Sequence, residues 1–247
     1  MKARSPWALP LLVGLLLLVI SPASAGRLKD LYVSPDGTDS GQAVHWTASN
    51  GKHYLMLPAG CDLSSWRVGY EGDAFTVDGQ TIAAGDAASF LVPGETMDLL
   101  SGKTTYKLVV LQSSPDTPSI WLQTDISNYY TISKTRTATA DMIVMSGTGE
   151  TVYTGKVARV RVHGNSSHYF NKKSFDLKLE EKADLLGLGK NRDFVLLSLY
   201  RDSSHLRTSI AYDLARYAGL PTAMGWQLAQ VYFNGEYYGI FLVTGKV

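Results

Sequence analysis

Residues 226–243 read WQLAQVYFNGEYYGIFLV, two apolar and aromatic runs on either side of the dipeptide Asn234-Gly235. Asn-Gly between two such runs is the strongest short-range signal for a β-hairpin. The segment therefore predicts two antiparallel strands, Trp226–Phe233 and Glu236–Val243. It indicates that the C-terminal part of the chain is built on β-structure.

Four further strands are predicted upstream of this hairpin. Thr137–Met145 and Thr151–His163 flank the turn residues 146–149 and are expected to pair, while Ser174–Leu179 alternates apolar and charged residues and Asp193–Tyr200 is largely apolar. Alternation within residues 151–163 predicts one apolar and one cationic face. The cationic face is expected to carry Val157, Arg159, Arg161 and His163, and the apolar face Ala158, Val160 and Val162.

One helix is predicted between these strands and the C-terminal hairpin. Asp202 or Ser203 is the expected N-cap, and Gly219 and Pro221 are expected to end the helix. The apolar residues that recur at helical spacing are Leu206, Ile210, Leu214 and Tyr217.

Residues 26–115 show short apolar runs separated by turn dipeptides, which predicts an all-β, sandwich-like module. Asp78-Gly79 predicts a hairpin between Phe75–Val77 and Gln80–Ile82. His45 and His53 lie beside no carboxylate cluster with metal-ligand spacing and are interpreted as ordinary surface or turn residues. The other expected strands are Tyr54–Leu57, Ser89–Val92 and Thr105–Leu111.

The stretch Ser113–Pro118 contains two prolines among polar residues and predicts a domain boundary. A second domain is then expected over residues 118–247. The predicted fold class is β-rich α+β, with the all-β module first and a second domain that contains the helix.

Residues 1–25 have the features of a secretory signal peptide. Lys2 and Arg4 precede the apolar run Leu11–Ile20, and Ala23-Ser24-Ala25 supplies a small-residue cleavage site. The apolar run is shorter than the roughly 20 residues of a membrane-spanning helix. The mature protein is therefore expected to be secreted, with no stable membrane span.

Composition and charge exclude several classes of protein. A hydrophobic fraction of 45 % excludes a disordered chain, and the single cysteine excludes an intrachain disulfide framework or a cysteine-based zinc finger. Residues 26–155 carry 8 basic and 14 acidic residues, whereas residues 156–216 carry 12 basic and 7 acidic residues. The basic excess suits an anion such as phosphate, but it is too small to predict a nucleic-acid partner.

Residues 161–175 contain the strongest candidate for a binding site. A Gly-Asn-Ser-Ser turn at 164–167 offers backbone N–H groups, hydroxyls and an amide, with Arg159 and Arg161 before it and Lys172 and Lys173 after it. This arrangement suits phosphate oxygens. A β-hairpin with a polar turn and a cationic rim explains the same residues without any ligand. The pattern is not a P-loop, which places Gly-Lys-Ser/Thr at the start of a helix.

Several ordered motifs resemble the CotH kinase family, which comprises spore-coat-type, secreted atypical protein kinases. The resemblance runs from about Pro118 to the C-terminus. The matching motifs are Arg161–Ser167, Lys172–Phe175, Leu185–Leu188 with Arg192–Leu196, the helix start at Asp202, Leu206 and Arg207, and the hairpin at Val231–Phe241.

The resemblance implies a kinase-like fold that binds ATP with Mg and phosphorylates Ser or Thr hydroxyls of a protein substrate. By position, Arg161 and Lys172 (or its neighbour Lys173) would contact the nucleotide phosphates. Asn165 and Ser166 would shape the loop above them. Arg207 would join the nucleotide site or form a structural ion pair at the first turn of the helix.

The chain departs from the family pattern at two places. His163 stands where the family usually has arginine, and histidine offers no bidentate fork for phosphate. The family continues after the hairpin with a segment that carries the catalytic and metal-binding aspartates, so no catalytic or metal-ligating residue is assigned here. The resemblance therefore implies a kinase homologue that is C-terminally truncated and inactive or incomplete as this chain, and its status as an enzyme stays open.

A non-enzymatic role is the alternative. A secreted, β-rich surface or coat protein would bind a polymer or protein partner through its N-terminal module. The aromatic residues considered for such contacts are Trp46, Tyr54, Trp66 and Tyr70, for most of which core packing is the competing role.

Overall fold

The computed structural model describes residues 27–246. Strands take up 49 % of the structure and helical segments 9 %, which confirms a β-rich α+β fold. The predicted signal peptide at residues 1–25 lies outside the described residues. The strands are β1 (Asp30–Ser34), β2 (Val44–His45), β3 (Thr47–Ser49), β4 (Lys52–Leu57), β5 (Arg67–Glu71), β6 (Phe75–Val77), β7 (Gln80–Ile82), β8 (Thr96–Ser101), β9 (Thr104–Gln112), β10 (Ser119–Thr124), β11 (Ala138–Met145), β12 (Thr151–His163), β13 (Ser174–Asp184), β14 (Lys190–Leu197), β15 (Trp226–Phe233) and β16 (Glu236–Gly245). The helix α1 is Arg207–Tyr217, and 3-10 turns occupy Ala88–Phe90, Tyr129–Thr131 and Ser167–Tyr169.

The N-terminal strands form two sheets, with strand orders β2-β1-β5 and β3-β4-β9-β8-β6-β7. The predicted hairpin of β6 and β7 is confirmed, and its turn residues Asp78 and Gly79 have φ angles of 49° and 80°. The predicted strand Ser89–Val92 is wrong, because this segment contains the 3-10 turn Ala88–Phe90. Ala88 and Leu91 are both buried, and their spacing of three residues matches a turn rather than an alternating strand.

Strands β10 to β16 form a closed barrel in the order β10-β11-β12-β13-β14-β16-β15. The parallel pairing of β10 with β15 closes it, while the other pairs are antiparallel. The predicted C-terminal hairpin is confirmed as β15 and β16. The barrel interior is filled by apolar side chains from all seven strands, among them Leu122, Val144, Val160, Leu177, Phe194, Phe233 and Phe241.

A β-bulge corrects the predicted faces of β12. Ala138 and Ala140 of β11 lie opposite Val160 and Val157, so two residues of β12 occupy the place of one. The bulge turns Val157 into the core, where it is 1 % exposed, while Arg161 and His163 stay on the outer face. The predicted alternation of apolar and cationic faces therefore holds only for the part of β12 that follows the bulge.

Helix α1 is found where predicted, but its ends and packing differ from expectation. The N-cap is Leu206, although the carboxylate of Asp202 still accepts a hydrogen bond from the Arg207 N–H at 2.8 Å. Gly219 has a φ of 67° and ends the helix as predicted. The apolar positions are exposed rather than buried, since the exposed fractions of Leu206, Ile210, Leu214 and Tyr217 range from 50 % to 93 %. No helix among the described residues is long and apolar enough to cross a membrane.

The N-terminal sheets pack against the outer surface of the barrel. Trp121, Met145 and Tyr232 belong to barrel strands, yet they lie in the same apolar cluster as the core of the N-terminal sheets. The Tyr232 hydroxyl donates to the Met56 carbonyl at 2.9 Å, and the His45 N–H donates to the Gly235 carbonyl at 3.0 Å. The domain boundary at residues 113–118 stays a prediction, because this apolar cluster contains residues from both sides of the proposed boundary.

His45 is neither a surface nor a turn residue. It ends β2, its side chain is 12 % exposed, and its Nδ1 and Nε2 lie 2.5 Å from Asp30 and 2.7 Å from Asp39. Burial alone would lower the pKa of His45, but these two carboxylates outweigh it and raise the pKa above its ordinary value of 6.5. His53 packs against Trp46 with ring centroids 4.0 Å apart, and burial lowers its pKa.

We expect the His45 contacts to make stability depend on pH. Because its folded pKa is raised, the contribution of His45 is fully present below the unfolded pKa and lost as pH rises through the folded pKa. His45→Gln should lower the free energy of unfolding by about 1 kcal/mol near pH 6, and the difference should shrink near pH 9. Urea unfolding of both proteins across this range is the measurement. A constant difference at every pH would contradict this account.

Candidate functional site

A cleft of about 370 Å³ lies on the outer surface of the barrel at the end of β12. The strand directs Arg161 and His163 outward on alternate residues, and the turn that follows supplies Asn165. The neighbouring strand β13 places Asp176 directly opposite Arg161. The cleft is lined by Lys134, Arg161, Val162, His163, Gly164, Asn165, Asp176 and Lys246.

Asp176 lies at the centre of this site and contacts three basic side chains. Its Oδ2 lies 2.7 Å from an Arg161 guanidinium nitrogen and 3.1 Å from the Lys246 Nζ. Its Oδ1 lies 2.8 Å from the His163 Nδ1, which donates because a carboxylate only accepts. Burial alone would raise the pKa of Asp176, but hydrogen bonds from these three groups outweigh it and lower the pKa.

The arrangement leaves the cleft with more positive than negative groups. The Asp176 side chain is only 8 % exposed, whereas Arg161, His163 and Lys246 each keep about a third of their side chains exposed, at 35 %, 34 % and 36 %. A buried carboxylate held in this way fixes the cations in place. Arg161 and Lys246 both line the cleft with these partly exposed cationic groups.

The turn after β12 adds a second polar contact to the cleft. Gly164 has a φ of 86°, which a residue with a Cβ atom adopts with difficulty. Lys134 Nζ donates to the Asn165 side-chain oxygen at 2.9 Å and so connects the loop before β11 with this turn. Ser166 is exposed at the tip of the turn.

The two predicted lysines lie outside this cleft. The Lys172 Nζ donates to the Ile240 carbonyl and lies 4.4 Å from the centre of the Phe241 ring. Burial lowers the pKa of Lys172 to about 8. Lys173 Nζ donates to the Tyr130 carbonyl at 2.7 Å. Their role as phosphate ligands stays a prediction, but the structure does not place them in one cradle with Arg161.

Arg207 occupies a different part of the surface. Its side chain is 79 % exposed, and its Nε lies 3.7 Å from Asp202. It lines a separate cleft with Phe170, Tyr200 and Arg201. The ion pair that was the alternative role for Arg207 is therefore observed at the start of the helix. It is long and exposed, so it contributes little to stability.

The sequence interpretation missed three members of the cleft. They are Lys134, Asp176 and Lys246. Lys134 and Lys246 are distant in sequence from the Gly-Asn-Ser-Ser turn, whereas Asp176 lies on β13, the next strand after it. Asp176 was recognisable in principle, because it is a charged residue of the alternation in β13 and lies opposite Arg161 on the paired strand. Lys134 and Lys246 had no local signal, since the loop before β11 and the pairing of β16 with β14 bring them to the site.

The aromatic contacts considered for the N-terminal module are largely unavailable. Trp46 and Trp66 are 8 % and 5 % exposed and belong to the apolar core of that module. Tyr54 and Tyr70 are half-buried. Core packing, the competing role given to these aromatic residues, is therefore confirmed for both tryptophans.

Residues 160–247 match the model of the CotH kinase protein family. This segment contains Arg161, His163, Asn165, Asp176 and Lys246, so most of the cleft lies within it. No curated protein was found to match the chain. The resemblance predicted from the sequence motifs is confirmed over this segment, so residues 160–247 are similar to the CotH kinase protein family.

Proposed function

We propose that this protein is a secreted, CotH-like atypical protein kinase homologue in which the Asp176 cleft binds the phosphate groups of ATP. The observation that carries the proposal is the set of three basic side chains fixed around one buried carboxylate, within the segment that matches the family. Its partner is a protein that offers Ser or Thr hydroxyls. The kinase-like fold, the secretion and the protein substrate are parts of the same proposal.

The donor set of the cleft fits phosphate. Arg161 presents a planar guanidinium, which is suited to paired phosphate oxygens, and Lys246 and Lys134 supply ammonium groups. His163 lines the same cleft and donates to Asp176. Asp176 orients Arg161, His163 and Lys246, but its single negative charge does not balance all the positive charge of the cleft.

The described residues fit magnesium less well. None of them forms a group of three or more His, Cys, Asp or Glu side chains that could hold a metal ion. Among the residues that line the cleft, Asp176 is the carboxylate, and its oxygens are already engaged by Arg161 and His163. When bound with a nucleotide, magnesium would neutralise phosphate charge, but these residues provide no metal site of their own.

Arg161→Ala should weaken the binding of ATP or of inorganic tripolyphosphate by roughly ten- to a hundredfold, because it removes a charge-assisted contact. Titration calorimetry, with and without magnesium, is the measurement. Arg159→Ala is the matched control, since Arg159 lies on the same strand but does not line the cleft. The proposal fails if both variants bind like the original protein, or if the original protein binds neither ligand.

Kinase activity needs a separate test, because phosphate binding alone does not establish transfer. The test is incubation with labelled ATP and a generic protein substrate. Label on Ser or Thr that Arg161→Ala loses would show transfer by this chain, whereas the resemblance implies an inactive or incomplete kinase homologue. A protein that binds ATP but transfers no phosphate would support the non-enzymatic alternative. In that case the cleft would be a binding site of a secreted coat or surface protein.

A further inference from the structure

One edge of β8 is largely unpaired within the N-terminal module. The strand pairs along its whole length with β9, from Thr96 opposite Val109 to Ser101 opposite Thr104. On its other side it meets β6 at a single position, Thr76 opposite Leu100. The first part of β8 therefore lacks a neighbouring strand among the described residues.

The hydrogen-bond alternation of the sheet shows which backbone groups face this gap. Val110 N–H donates to the Glu95 carbonyl at 3.0 Å, so Glu95 and every second residue after it bond toward β9. Thr96 and Asp98 then direct their N–H and C=O groups to the opposite side. No hydrogen bond joins these four groups to another described residue.

The gap is an open cleft of about 540 Å³ between β8 and the β6–β7 hairpin. It forms because the hairpin turns back at Asp78-Gly79, just beyond the single pairing at Thr76. Ile82, Phe90 and Met97 give the cleft an apolar lining. An extended chain placed along β8 would direct alternate side chains onto this lining.

The rim of the cleft is acidic. Asp78, Glu95 and Asp98 line it, and one basic residue, Lys107, joins them. Lys107 is bonded to Asp98 at 3.1 Å. Asp78 and Glu95 are exposed and have no ion pair with another described residue. Charge complementarity therefore favours a cationic occupant.

We propose that this cleft binds an extended peptide segment as an additional strand on β8, with apolar side chains alternating with Lys or Arg. Up to four backbone hydrogen bonds to Thr96 and Asp98 would hold the segment, as in other cases of strand addition. The apolar side chains would pack on Phe90 and Met97, and the basic ones would face Glu95 and Asp78. This site is separate from the phosphate cleft and would recruit a partner protein.

The test uses a fluorescent acetylated hexapeptide of alternating lysine and valine, titrated against the full protein by anisotropy. We expect saturable binding that falls at least about tenfold when alternate peptide nitrogens are methylated, because methylation removes the backbone donors. A peptide with glutamate in place of lysine should bind at least about tenfold more weakly. Amide hydrogen exchange at Thr96 and Asp98 should slow when the peptide binds.

Two protein variants locate the site. Thr96→Pro removes an outward N–H without interrupting the pairing with β9, and proline is tolerated at such edge positions. Glu95→Gln lowers the charge of the rim and leaves the backbone unchanged. Both should weaken binding, whereas Asp141→Asn on the barrel should not.

Several results would overturn the proposal. These are no saturable binding, equal binding of the methylated or glutamate peptide, or unchanged amide exchange at Thr96 and Asp98. The peptide controls need no protein variant, so they decide the question even if Thr96→Pro unfolds the module. Self-association of the protein that Thr96→Pro abolishes would also reject it, because the occupant would then be a second copy of the chain.

Discussion

Replacing Asp176 by Asn is expected to lower the free energy of unfolding by about 2–3 kcal/mol at neutral pH. The carboxylate is buried and engaged by Arg161, His163 and Lys246, so the neutral amide leaves Arg161 and Lys246 without their counter-charge and weakens the contact with His163. The loss is smaller than for a fully buried pair because each cation is about one third exposed and regains water. Urea unfolding near pH 7 measures it.

Asp141→Asn is the matched control for this prediction. Asp141 lies on β11, which β12 separates from the strand of Asp176, and it pairs with Lys156 at 3.1 Å, but both side chains are about two thirds exposed. Its replacement should change stability by less than about 1 kcal/mol. Equal effects of the two substitutions would show that the Asp176 cluster is no stronger than a surface ion pair.

The pH dependence of the Asp176 contribution has a defined sign. The folded pKa of Asp176 lies below its ordinary value of 3.8, so its contribution is present above that value and is lost as pH falls through the folded pKa. The stability difference between the original protein and Asp176→Asn should therefore shrink in strong acid. The His45 contacts have the opposite sign, since their contribution is lost as pH rises.

A phosphate ligand gives the same variant a second, independent readout. Removing the carboxylate raises the positive charge of the cleft, so inorganic tripolyphosphate should stabilise Asp176→Asn more than the original protein. A purely structural ion-pair cluster with no affinity for anions would show no such difference. Thermal unfolding with increasing tripolyphosphate separates these two cases.

The hairpins and most strands of this fold were predictable because their signals are local. Asp78-Gly79 and Asn234-Gly235 specify their turns through residues that accept positive φ angles, and both hairpins are observed. Arg161 and Asn165 were recognisable as site residues for a similar reason. They lie together on one turn, and their chemistry is visible in the sequence itself.

The features that were missed depend on contacts between distant segments. Barrel closure by β10 and β15 is a parallel pairing across about a hundred residues, and no local pattern specifies it. The antiparallel pairing of β16 with β14, which itself pairs with β13, brings Lys246 to Asp176. The bulge in β12 inserts one extra residue, which turns Val157 from the outer face to the core. The apolar residues of α1 follow helical spacing, but they remain exposed. In both cases the sequence shows the spacing of the apolar residues, but packing decides whether they are buried.

Gly235→Ala is expected to destabilise the protein by about 3–5 kcal/mol. Gly235 has a φ of 81°, and a Cβ atom there would lie 2.1 Å from Cδ2 of the His45 ring. That ring is held on both sides by Asp30 and Asp39, so it cannot move aside without breaking these contacts. The substitution therefore strains the family hairpin and its contact with the N-terminal sheets together.

Gly79→Ala separates backbone strain from the clash. Gly79 occupies the same position in the β6–β7 turn, with a φ of 80°, and nothing lies within 4 Å of a Cβ atom there. Its replacement should cost only the left-handed backbone conformation, about 1 kcal/mol. Urea unfolding of both variants gives the difference, which measures how firmly His45 is seated against the hairpin. Equal losses in the free energy of unfolding for the two substitutions would contradict this account. They would show that His45 and the N-terminal sheets do not constrain the hairpin that carries the family motif.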